Sequence, residues 1–552
     1  MKIFKKSAET ILMALAITLA LGPGHARAEM EAEAPETYEQ MVERFHPGAT
    51  VLRLSLQECI ATAIENNLDI EVETYFPRIG EADLRAAKGV FDPHIFANAT
   101  YVKRKDPLPV SVSVATGGLT AVETEQWVIS GGLTGAIASG LTYEALVASQ
   151  HTPFSTITDF FQANGEQRFE TSLTVTQPLL RNFGAGVNTT GIQVAVKNKE
   201  ASVYQLEQRV RDVLFEVEQA YWELVFAYEN LRVRNRSLQV AQDLLKENRI
   251  RLEVGVLPPL AVLQAETGVA VREEEVIVAQ SQVQDAKDRL ILAANLLPDR
   301  ITWTDVEIVP MDNPMISPPD VYDHSAEISS ALRNRAELKQ LLKQQEAAVL
   351  AAKFAKNQLL PTLNLNAKVG LIGLDEHFDP AFFSALFGGG PLPPPANRGI
   401  DPAVDDLFSG DNFQWLIGFT FEIPWGSRTE RGEYKASTLV VDQLDAGIRN
   451  LRLGIIQDTR NALRSVETDW ERVVLTKETT RFRQESLDAE KKRFDVGVST
   501  AHDVLEFEEE VATARANEER AIIDYTISLA NLQRATGTLL EARNVELTGV
   551  WP

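Results

Sequence analysis

The sequence predicts a mainly α-helical chain with membrane β-strands, built from one unit of helix, strand pair and long helical hairpin written twice. Three observations carry this. A turn of the form Arg-hydrophobic-acidic-Val-Gly-Val occurs as RLEVGVLPPLAVL at 251–263 and again as RFDVGVSTAHDVL at 493–505. Each copy ends one long helical run and begins another. Ahead of each hairpin, segments of about ten residues alternate apolar with polar, as a strand with one oily face does.

Taken in order, the elements begin with a leader. Lys2, Lys5 and Lys6 precede an apolar run from Ile11 to Leu21, and Ala26-Arg27-Ala28 places small residues where a signal peptidase reads. Residues 1–28 are therefore expected to be a cleaved signal peptide, because the run is about half the length that spans a bilayer as a helix. Residues 29–50 form an N-terminal extension. The first repeat covers 51–310, with an opening helix to roughly Lys88, a strand pair within 93–178, a hairpin over 190–297 and an equatorial strand DVEIVP at 305–310. A linker at 311–324 leads to the second repeat, 325–552, with its helix at 325–356, strand pair within 361–425, hairpin over 433–537 and closing strand NVELTG at 544–549.

The duplication rests on two registers. A shift of 242 places Arg251, Val254, Gly255, Val256 and Leu263 on Arg493, Val496, Gly497, Val498 and Leu505 without a gap. A shift of 268 places Ala63, Asn66, Ala87, Pro93 and Asn98 on Ala331, Asn334, Ala355, Pro361 and Asn366. The shifts differ by 26 residues, so the first repeat is longer in its middle, where variable loops are expected.

Within the first hairpin, Val203, Val210, Val217, Leu224, Leu231, Leu238, Leu245 and Leu252 recur every seven residues, the seam of a coiled coil. The strands are clearest in NFQWLIGFTFEIPW and PTLNLNAKVGL, and weaker in FETSLTVTQP, while 139–167 and 386–412 read as exposed loops. Trp127, Trp415 and Trp425 suit the interfacial aromatics of a barrel. Two strands per repeat give four per chain, too few to close a barrel without leaving an open edge in lipid, so several chains must share one.

Composition excludes some classes. The chain has 552 residues, 44% of them apolar, and net charge −24, a surface that argues against nucleic acid and against adsorption to anionic lipid. The single Cys59 makes no internal disulfide and lies too far from the signal for a lipid anchor. Seven scattered histidines without an HExxH or Cys/His cluster, and a GAG at 184–186 without a phosphate-loop lysine, give no metal site, no cofactor and no enzyme.

The duplicated layout, the opening LSLQECIATAIENNLDI, the Q-P-L-L and I-P-W-G transitions at 177–180 and 423–426 and the two R-x-x-V-G-V turns together resemble the TolC-like outer-membrane efflux protein family. The resemblance covers nearly the whole mature chain. It implies a homotrimer whose twelve-strand barrel, four strands per chain, sits in outer-membrane lipid and continues into a periplasmic α-helical barrel. It also implies a periplasmic adaptor (membrane fusion) protein and an inner-membrane efflux pump or secretion ATPase as partners.

On this reading Arg251, Val254, Gly255, Val256, Arg493, Val496, Gly497 and Val498 are adaptor-docking hairpin tips. Glycine suits a tight reversal at positive φ, and exposed valines beside it seat a partner helix; the bland alternative is a glycine cap alone. The resemblance places an acidic ring at the periplasmic entrance on Asp503 and Glu506, where like charges in three copies favour cations and raise some carboxyl pKa values. A solvated acidic face is the competing reading, since Glu508, Glu509 and Glu510 follow. The chain also departs from the family: the tyrosine, arginine and aspartate that tie the entrance shut are replaced by Phe494, Ser499 and Ala261. Closure by apolar packing of Phe494 and Leu505, or a looser resting channel, both fit. The alternative to a passive exit duct is an exported coiled-coil spacer or adhesin without a pore.

Overall fold

The computed structural model describes residues 36–115, 118, 120–155, 163–255, 257–297, 306–314, 316–319, 321–378 and 400–545. The expected signal peptide, the tip residue Val256 and most of the closing stretch 544–549 lie outside them. The chain divides into residues 1–49 and 50–552. In the first unit, helix α1 (Tyr38–Phe45) opens with a capping box between Thr37 and Gln40.

The second unit begins with β1 (Thr50–Leu54), α2 (Leu56–Asn66) and α3 (Leu68–Lys88), followed by β2 (His94–Pro107), β3 (Ala121–Ala136), β4 (Thr142–Ser155) and β5 (Ala163–Pro178). Helices α4 (Thr190–Glu253) and α5 (Pro259–Ala294) and strand β6 (Val306–Pro310) come next. After them run α6 (His324–Asn334), α7 (Ala336–Asn357), β7 (Thr362–Phe378), α8 (Ile400–Ser409), β8 (Phe413–Glu422), α9 (Arg428–Asp495) and α10 (Ala501–Thr536).

Each opening helix is broken in two. Asn67 Oδ1 accepts from the backbone N–H groups of Asp69 and Ile70 at 2.9 and 3.1 Å, which caps α3 and ends the continuous run expected from the sequence. The break recurs at Arg335, between α6 and α7, in the register that carries Asn66 onto Asn334.

Helices α4 and α9 are 64 and 68 residues long. Each folds back on its partner, α5 or α10, and α10 also lies along α4. The seam of α4 buries Val210, Val217, Leu224 and Leu231, then passes to Ser237, Ala241, Leu244 and Asn248 near the tip. A straight helix drifts ~20° per heptad, so a strict seven-residue stripe cannot face the same neighbours along its whole length. Strands β1 and β6 pair in parallel. There Lys287 Nζ donates to Glu307 Oε1 at 3.1 Å in a fully buried pair that ties α5 to β6.

The sheet corrects the sequence reading. Among the described residues six strands, not four, form one antiparallel sheet in the order β2-β3-β4-β5-β7-β8. Strand β4 lies within the stretch expected to be a loop, and β3–β4 together form an added hairpin in the first repeat. The extra 26 residues were legible, but their structure was not. On the oily face β3 and β4 carry Gly131, Gly135, Ala145 and Ser149 among their larger residues, and such small side chains dilute the alternation that marks a strand.

Directly paired residues share a face. The row Ile95, Leu133, Ala145, Leu173, Val369 and Trp415 crosses all six strands and is apolar throughout. The opposite face holds Glu170, whose Oε1 accepts from Lys368 Nζ at 2.8 Å and Gln414 Nε2 at 2.7 Å. Trp127 and Trp415 both lie on the oily face, Trp127 packed at a tilt of 45° against Tyr101 with ring centroids 4.8 Å apart. No helix among the described residues is long and apolar enough to cross a membrane.

Candidate functional site

The two hairpin tips share one backbone solution. Gly255 and Gly497 both have φ +77°, and a Cβ on either would meet nothing within 4 Å, so only the backbone conformation demands glycine there. Gly497 N–H donates to the Phe494 carbonyl at 3.0 Å and Val498 N–H to the Arg493 carbonyl at 3.0 Å, the two bonds of a Schellman cap. Gly255 N–H donates in the same way to Leu252 at 2.9 Å. The capping reading is thus realised, and it leaves the valines spare: Val254 is 69% exposed, Val496 74% and Val498 64%.

The equivalent arginines behave differently. Arg251 pairs with Glu247 on its own helix, reaches Asp495 of the other tip at 3.7 Å and lies 4.7 Å from the Phe494 ring centroid. Arg493 donates to Glu490 one turn back at 2.7 Å and stays on α9. Glu490 is buried and also accepts from the Ser499 hydroxyl. One arginine joins the tips, and the other stiffens its own.

Phe494 and Leu505 lie together in a buried cluster with Ala241, Leu244, Leu487, Ala501, Val504 and Val511. This apolar plug draws on α4, α9 and α10, so it holds the two hairpins of one chain to each other.

Asp503 and Glu506 lie on one face of α10, but they are not equivalent. Asp503 is the N3 residue of a capping box: its Oδ2 accepts from Thr500 N–H at 3.1 Å, Thr500 Oγ1 at 2.9 Å and Ser499 Oγ at 3.2 Å. Those bonds, the Thr500 backbone N–H foremost, hold its carboxyl below the ordinary aspartate range. Within one chain this is opposite to the upward shift expected for a ring of like charges. Glu506 is exposed. The next three glutamates are not an idle solvated face: Glu508 pairs with Lys491, Glu509 with Arg234 and Arg272, and Glu510 with Arg483.

Arg272 was not singled out from the sequence. It is 5% exposed, donating through Nη2 to the Leu505 carbonyl at 3.0 Å, through Nε to Ser237 Oγ at 3.1 Å and through Nη1 to the Gly268 carbonyl at 3.2 Å. Arg234 Nη1 bridges Glu275 and Glu509, at 3.1 Å each. Together they form a polar tie from α4 and α5 to α10. A signal existed: Arg272 stands seven residues from both Ala265 and Ala279, a charge in a buried alanine seam.

A family model for outer membrane efflux proteins matches residues 140–296 and 328–538. No curated protein matches the chain in sequence. Among solved structures it is similar to the outer-membrane channel OprN, at 16% identity and TM-score 0.61 over 88% of this chain and 90% of that one. It is also similar to the CmeC outer membrane channel of Campylobacter jejuni, at 16% identity and TM-score 0.59 over 95% and 94%. A third likeness is to the outer membrane protein VceC of Vibrio cholerae, at 17% identity and TM-score 0.59 over 87% and 96%. At such identities the likeness shows a shared fold.

Proposed function

The chain belongs to the outer membrane efflux protein family, and from that premise we propose that it is the passive exit duct of a tripartite efflux or type I secretion system. Three copies share one outer-membrane barrel, and their helical hairpins extend into the periplasm. The twin tips dock a periplasmic adaptor through Val254, Val496 and Val498, with Arg251 and Arg493 fixing the tip frames. The adaptor couples the duct to an inner-membrane transporter, which supplies the energy.

One observation carries this reading: a sheet with a mainly apolar face, whose edge strands β2 and β8 have no second neighbour among the described residues, continues directly into helical hairpins that bear paired, glycine-capped, valine-flanked ends. A coiled-coil spacer or adhesin has no need of such a face. The departures from the family's entrance ties are offset by the Phe494–Leu505 plug and the Arg234/Arg272–Glu509 tie, which hold the resting entrance closed. Asp503 and Glu506 make that entrance acidic and cation-selective.

Single-channel recording in a planar bilayer tests this, comparing wild type with Asp503→Ala plus Glu506→Ala, with and without trivalent cation on the periplasmic side. The expected result is a cation-selective pore whose block and selectivity weaken in the double variant. Discrete pores with unchanged selectivity would reject the acidic entrance, and folded protein that forms no pore would reject the duct.

A further inference from the structure

We propose that neighbouring copies join through the free edges of β8 and β2, and that the shared barrel has eighteen strands rather than the family's twelve. The inference rests on the trimeric duct above and concerns only how its membrane part is built.

The six strands alternate in direction without exception, so the two edge strands, β2 and β8, run opposite ways. An edge of β8 can therefore pair antiparallel with β2 of the next copy, and the same contact repeated closes a ring. Neither edge strand has a second neighbour among the described residues, and their oily faces are bare, Ile95 on β2 being 87% exposed and Phe419 on β8 69%. A bilayer does not tolerate such edges unpaired, and a second copy is the occupant that matches both at once.

The chain contains a template for that seam. Inside it, β5 pairs with β7, with Thr174 opposite Lys368. Strand β8 stands to the second repeat as β5 does to the first, each running into a proline, Pro178 or Pro424, and β2 and β7 each start one residue after Pro93 or Pro361. Carrying the β5–β7 register across these equivalences sets Thr420 opposite the partner's Thr100. It also keeps apolar residues facing lipid, Phe421 opposite the partner's Ala99.

The added β3–β4 hairpin is part of the wall. Both of its strands pair along their length with outer neighbours, β2 and β5. It contributes Trp127, Ile129 and Leu133 to the oily face, which a plug hanging in water would not carry. Barrel diameter grows nearly linearly with strand number, so three copies of six strands enclose ~36 Å between opposite backbones, against ~24 Å for twelve strands. The bore is about 2.25-fold larger in cross-section, which leaves the periplasmic tips to limit passage.

Electron microscopy of the purified full chain in nanodiscs tests this. The expected image is a three-fold ring with a barrel about 1.5-fold wider than twelve strands allow. Independently, Thr100→Cys combined with Thr420→Cys should give oxidant-dependent covalent dimers and trimers on a denaturing gel, with neither single variant doing so. A three-fold ring of twelve-strand diameter would overturn the eighteen-strand barrel and leave the duct reading intact. No cross-link at Thr100/Thr420, Asn98/Glu422 or Val102/Gly418 would overturn the β8–β2 seam. Particles with no ring of copies would sink the duct reading itself.

Discussion

The two hairpin tips have the same backbone and different walls. Gly255 and Gly497 share one φ and one capping bond, yet what surrounds them diverges. Where the second tip buries Phe494, the first has the half-buried Leu252. The second opens α10 with the Thr500–Asp503 capping box, whereas Pro258 and Pro259 open α5 and Ala261 takes the aspartate's place. Arg272 sits in the first hairpin, and its counterpart 242 residues on is Ala514. The two tips share the part that makes a tight exposed reversal and differ in the part that fixes one hairpin against the other. The proposed docking role needs the former in both copies, and the proposed gate needs the latter only once.

The largest effect that can break this comparison is loss of the plug. Phe494→Ala removes a ring that is 5% exposed and should cost about 3–5 kcal/mol of local stability. Leu252→Ala at the equivalent place should cost roughly half as much or less, its side chain being only half-buried. Hydrogen exchange near each tip, at amides of α9 and α10 for Phe494 and of α4 and α5 for Leu252, reads both, and leak through single channels should rise in the Phe494 variant. Equal losses of protection in the two variants would show the tips to be equivalent after all.

Next in size is the polar tie. Arg272→Ala strips the Leu505 carbonyl and Ser237 hydroxyl of a charged donor inside the bundle, a cost of about 1.5–3 kcal/mol. It leaves Arg234 as the one arginine on Glu509 among the described residues. Because the guanidinium serves three acceptors in different directions, Arg272→Lys should restore little. Ala514→Ser, at the equivalent position of the other hairpin, should leave protection and leak near wild type. If Arg272→Ala changes neither exchange near Leu505 nor resting conductance, the tie does not hold the hairpins together.

What the sequence made legible follows from pattern strength. Long heptad seams and the twin glycine turns put α4, α5, α9 and α10 within a few residues of their observed ends, because each signal repeats over many turns. The oily strands β7 and β8 were equally plain, with aromatic or aliphatic residues at every second place. The β3–β4 hairpin was not: its 26-residue excess was visible, but glycine, alanine and serine on its outer face hid the period of two. Phe494 stands out in the sequence because it takes the place of the family's tyrosine, and Leu505 because it falls on Leu263 in the 242-residue register. Arg272 was missed because comparing repeats draws the eye to what is kept, and this tie exists through a residue present in one copy only.

The smallest expected difference is the sharpest for telling the tips apart, because it needs no change of packing. Hydrogen bonds from Thr500 and Ser499 keep the Asp503 carboxyl below the ordinary aspartate value of about 3.9. Its unfolded form therefore takes up a proton more readily than the folded one, so the cap's contribution is complete above that value and is lost as pH falls through the folded one. Glu490, which also holds Ser499, faces the same turn from α9, and His502 flanks it. On acidification from pH 5 to pH 3, amide protection at the start of α10 should fall more than protection at the start of α5, where Ala261 has nothing to titrate. Asp503→Asn should flatten that difference. Both tips share the global acid response of so negative a chain, so only their divergence reports the cap, and parallel loss at the two would remove Asp503 from the account.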